Sequence, residues 1–114
     1  MNVIETTNGF VKKYIEYHET YVKKYGENTI VLKQTGSHFN IFSVINDEIS
    51  IGPDIYHICN NILNIVVSKQ NKKNPEVSFS NCLLAGFPLC SIQKYEKMLL
   101  DSGYTVVIVE QITP

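Results

Sequence analysis

From Phe10 onward, apolar and aromatic positions recur at helical spacing at Val11, Tyr14, Ile15, His18, Tyr21, Val22 and Tyr25, with Lys12, Lys13, Glu16, Glu19, Lys23 and Lys24 between them. This pattern predicts an amphipathic helix. Gly26 closes it, and the lysines of its last turns complement the carbonyl end of the helix dipole. The β-branched run "TIVLKQT" and the alternating "SHFNIFSVI" flank Gly36 and read as two strands of a hairpin. "IGPDIYHICNNILNI" opens with Gly52 and Pro53 and sets Ile55, Ile58, Cys59 and Ile62 on one stripe, which predicts a short second helix. "NIVVSKQ" then reads as a strand, "NKKNPEVSFSN" as a surface loop and "CLLAGFPL" as a short buried strand that breaks at Pro88. Ser91 is placed to cap a third helix that turns Ile92, Tyr95, Met98 and Leu99 inward and stops at Gly103. The last run, "YTVVIVEQI", is continuously apolar, the pattern of a strand covered on both faces. The order α-β-β-α-β-β-α-β implies an α+β fold, a mixed sheet flanked by about three helices.

Composition narrows the classes of function. With 114 residues, 44% hydrophobic and 18% charged, and with no repeat or linker, the chain reads as one domain spanning residues 1–114 around a modest core. No window approaches the roughly 18 apolar residues of a membrane helix, and the N-terminus lacks the basic start and apolar run of a signal peptide. Cys59, Cys82 and Cys90 lack CxxC spacing and lie in apolar contexts, which suits reduced thiols and a reducing intracellular compartment, whether nucleus, cytoplasm or viral factory. The formal charge of −1, with ten lysines and no arginine, supplies neither the positive excess of a free-standing nucleic-acid binder nor any guanidinium fork for guanine or phosphate. Affinity for nucleic acid must then be weak, local or shared with a larger assembly.

"AGFP" followed by "KYEKMLLDSGYTVVIVEQITP" resembles the closing half of the N-terminal, mismatch-recognition domain of MutS DNA-repair proteins, where a similar A-G-x-P, helix, strand and E-Q-x occur. "GSHFNIF" is similar to the family's G-x-F-Y-E-x-F. "NILNIVVSKQNKKNPEVS" with "NCLLAGFP" resembles in particular the branch found in giant viruses and octocoral mitochondria. The resemblance implies a mixed sheet of about six strands, part of a larger ATPase that clamps DNA as a dimer. The ATPase, lever and clamp regions are not in this sequence, and no phosphate-loop motif occurs in it.

The resemblance also assigns candidate residues. In the family a Phe-x-Glu motif enters the minor groove, the phenylalanine wedging against the mispaired base and the glutamate hydrogen-bonding to it, where a poorly stacked step is easier to kink. Counting from Gly36, His38 takes the phenylalanine position and Asn40 the glutamate position, and strand period two sends both to one face and Phe39 to the other. His38 keeps a flat ring that stacks on a base, with less apolar area and a titratable proton. Asn40 keeps hydrogen-bonding capacity without the charge. Lys69, Lys72 and Lys73 fall where the family's basic loop approaches the phosphate backbone, a contact that positions without specifying sequence.

Other chemistry finds little support. His57 and Cys59, two apart on a helix, diverge, and with Cys82 and Cys90 they match no zinc spacing, so neither metal nor cofactor is expected. Strand alternation would place Ser37 and His38 on opposite faces, against a local nucleophile–base pair, and no catalytic constellation is expected. Two readings follow. One is a domain that contacts mismatched double-stranded DNA with weakened discrimination, working with the remaining domains of a MutS-like ATPase; the other is the same fold repurposed to dock another protein.

Overall fold

A computed structural model describes residues 7–110, with side chains from Val11 onward; Gln111 and the closing Thr113 and Pro114, to which the resemblance extends, lie outside them. In chain order the elements are α1 (Thr7–Tyr25), β1 (Thr29–Thr35), β2 (His38–Ile45), a two-residue β3 (Ser50–Ile51), α2 (Ile55–His57), β4 (Ser68–Lys69), β5 (Leu83–Pro88), α3 (Ile92–Asp101) and β6 (Thr105–Val109). A π-helical stretch, Ile58–Leu63, continues α2, and a 3-10 turn, Leu89–Ser91, leads into α3. The strands form one six-stranded sheet in the order β4-β5-β2-β1-β6, with β3 on β2. Among the described residues only the β1–β6 pair is parallel, so the sheet is mixed and the fold α+β, as expected.

The hairpin explains the register. Gly36 sits at φ 62° and no positive φ falls on Ser37, the sign pattern of a two-residue type II′ turn whose twist matches that of its strands. Thr35 therefore faces His38, Gln34 faces Phe39, and Lys33 faces Asn40. On one side of the sheet α1 lays Val11, Tyr14 and Ile15 into the core. The Tyr14 hydroxyl donates to the Val31 carbonyl at 2.7 Å and its ring meets Phe42 edge-on at 5.3 Å. On the other side Phe39 packs on Phe87, whose ring stacks on Tyr95 of α3 at 4.4 Å.

Four local expectations change. The run "NIVVSKQ" pairs only at Ser68–Lys69; Asn64, at φ 56°, ends the helical segment and Val66 points to solvent, 78% exposed. The second helix continues as a π-helical stretch rather than an α-helix, with Ile58, Cys59 and Leu63 buried and Ile62 half-buried against the core. Ser91 occupies the N-cap of α3 but its side chain caps nothing, because the preceding 3-10 turn already leads into the helix. The strand expected to be covered on both faces, β6, is an edge strand with Thr105 and Ile108 exposed. Its apolar run meets α3 and β1 but has no second strand among the described residues.

The polar loop between β4 and β5 is built around one buried side chain. Asn81, 2% exposed, accepts from the Asn71 amide at 2.7 Å and donates to the carbonyls of Asn74 and Glu76 at 3.1 and 2.7 Å. Its backbone pairs with Ser78. A polar residue goes into the interior here because each of its amide atoms finds a partner.

Candidate nucleic-acid interface

Register and strand period place six residues on one side of the sheet, in two rows: Thr35, His38 and Pro88, then Lys33, Asn40 and Gly86. In the next row Val31 and Phe42 are sealed beneath α1, whereas His38 and Pro88 are exposed and the other four half-buried. Helix α1 thus covers half of this face and leaves the hairpin end open. Phe39, between the two candidate readers, is 6% exposed and belongs to the core.

His38 stands at the start of β2, with its Nδ1 3.1 Å from the Ser37 hydroxyl. This contact overturns the expectation that the two side chains part: Ser37 lies in the turn, where strand alternation does not apply. The tip is fixed from behind by the Leu89 amide, which donates to the Ser37 carbonyl at 3.0 Å. Nδ1 is engaged, so Nε2 and the ring face are what His38 presents outward.

Asn40 is held differently. Its Nδ2 donates to the Thr35 hydroxyl on the neighbouring strand. Its Oδ1 lies over Gly86, where an added Cβ would collide with that oxygen and stand 2.6 Å from the Phe39 carbonyl. Glycine at 86 is therefore what lets the carboxamide lie along the sheet. His38 projects and Asn40 reclines.

The lysines separate. Lys69 pairs with Leu83, which pairs with Ser43, so Lys69 belongs to the Phe39 side of the sheet. That row is five residues along β5 from Pro88, roughly 17 Å at strand rise. Lys72 and Lys73 extend from the Asn81-anchored loop at the same far end, and Lys73 donates its amide to Asn71 Oδ1 at 3.1 Å. The structure brings His38 and Asn40 together but not these three with them. The cation that shares the open face is Lys33, directly opposite Asn40. Sequence reasoning passed over it, although a two-residue turn at Gly36–Ser37 already sets Lys33 across from Asn40.

With sheet order, hairpin and A-G-x-P strand in place, comparison with known families is decisive, since the model for MutS domain I matches residues 9–114. The chain belongs to the MutS domain I family. At family level MutS domain I is the mismatch-recognition domain, DNA-binding and itself non-catalytic. No individually curated protein matches the chain. Within this MutS domain I, His38 presents an exposed imidazole and Asn40 a carboxamide bonded into the sheet.

Proposed function

We propose that this MutS domain I contacts duplex DNA through the open half of the β1–β2–β5 face, with His38 as the stacking side chain and with weakened discrimination between mispaired and matched steps. One observation carries the reading: His38 is exposed on the face it shares with Asn40 while Phe39 turns into the core. An imidazole stacks on an unstacked base but offers less apolar area for wedging than a phenyl ring. A neutral amide committed to Thr35 supplies no carboxylate to a base edge. Lys33 gives local attraction to phosphate, whereas Lys69, Lys72 and Lys73 stand at the far end of the sheet, away from this face. The remaining domains of a MutS-like ATPase would hold the duplex against this face.

The test is a fluorescence-anisotropy titration of the 114-residue chain with duplexes that differ by a single mispair, at several salt concentrations. Weak binding that falls as salt rises, differs little between duplexes and weakens in His38→Ala is expected. Binding to neither duplex at low salt by the folded chain, or equal binding by His38→Ala, would favour the protein-docking reading.

A further inference from the structure

Beside the edge strand β4, on the far side of the sheet from the hairpin tip, lies an open groove of ≈ 540 Å³ whose walls include Tyr56, Val67, Lys69, Lys72, Pro75 and Val77. We infer that this groove docks an extended acidic peptide segment, which adds to the outer edge of β4, sets apolar side chains against Val67, Pro75 and Val77, and places carboxylates on Lys69 and Lys72.

Three observations converge. The first is the edge: β4 ends the strand order, and Val67, Ser68 and Lys69 line the groove, so the groove runs beside an edge strand that an occupant can extend. Strand addition uses such groups for affinity and leaves specificity to alternate side chains. The second is charge. No acidic side chain lines the groove, and among the described residues neither Lys69 nor Lys72 forms an ion pair. The third is order. The far wall is the loop that Asn81 holds by three hydrogen bonds from a 2%-exposed position, so Lys72 and Pro75 are in place before any ligand arrives. A preformed wall lowers the entropy lost on binding. A duplex would use the lysines but neither the strand edge nor the apolar wall, which is why a peptide fits better than nucleic acid. The inference stands apart from the DNA reading, since its residues lie on the other side of the sheet from His38.

The experiment is a titration of the isotope-labelled chain with a ten-residue peptide of alternating glutamate and valine, followed by amide NMR shifts. Saturable shifts confined to Val67–Lys69, Tyr56 and the 71–77 loop are expected. They should weaken at least about tenfold in the Lys69→Glu, Lys72→Glu double variant, whose amide spectrum away from the groove reads that the fold is kept. A peptide with proline at its centre, which removes a ladder donor, should bind more weakly, and one with lysine for glutamate should not bind. The inference is overturned if the peptide gives no saturable shifts, if the double variant binds it unchanged, or if only single-stranded or duplex DNA perturbs the groove.

Discussion

At position 40 a carboxamide does what a carboxylate cannot: it donates to the Thr35 hydroxyl and lies across Gly86. Replacing Thr35 with valine removes the acceptor and frees the Nδ2 group at almost constant volume. Thr35→Val should strengthen duplex binding slightly without changing the fold, as read by anisotropy beside a circular-dichroism spectrum. Restoring both readers, His38→Phe with Asn40→Glu, should raise the preference for mispaired over matched duplex, by about 1.5–3 kcal/mol if one charge-assisted hydrogen bond returns. Equal affinities of that variant for both duplexes would sink the assignment of these positions. The core thiols give a separate check. Burial pushes Cys59 and Cys82 from the ordinary 9.0 up to about 11, while Cys90 lies on the surface. Alkylation at pH 8 should label Cys90 first and the other two only on unfolding. Because the folded values lie above the unfolded ones, the stabilisation from these neutral thiols is full below pH 9 and is lost as pH rises toward 11. The melting temperature should fall across that window. That His38 and Asn40 share a face was legible from strand period, while their choice as candidates came from the family resemblance. Their surroundings were not legible, since the reclining amide depends on a hydroxyl five residues earlier and on a glycine two strands' worth of chain away.

At the scale of elements, the hairpin, the buried A-G-x-P strand and the first and third helices were readable because local rules and tertiary packing agree there. "TIVLKQT" is the strand Thr29–Thr35 from end to end. The reading failed where partners decide. Val66 and Val67 have strand composition but no neighbouring strand to join, and β6 has an apolar run at a sheet edge, where α3 packs beside it but Thr105 and Ile108 stay exposed. The lysine loop was read correctly as polar surface, yet its order was hidden: nothing in "SNC" announces that Asn81 is buried beneath it. Asn81→Ala would leave the Asn71 amide and two carbonyls without partners. It should cost about 2–4 kcal/mol in chemical denaturation, and hydrogen exchange should speed up at Asn71. A loss below half a kcal/mol would mean that water replaces the side chain and that the loop needs no staple.

For the whole molecule, the decisive feature is asymmetry. Helix α1 seals one half of a sheet face through Tyr14 against Val31 and Phe42 and stops short of the hairpin, where His38 and Pro88 meet solvent. Tyr14→Phe, which deletes the buried hydroxyl bond, should lower stability by about 1–2 kcal/mol and leave duplex binding unchanged, separating the helix's structural role from the face it leaves open. The central claim is that this open half meets DNA, and an amide-resolved NMR titration with a duplex carrying one mispair tests it most directly. The account predicts salt-sensitive shifts clustered at Lys33, Thr35, Ser37, His38 and Asn40, with Phe87 and α3 silent. Shifts clustered on α3 or the Phe39 side, or none at low salt with the fold intact, would contradict it.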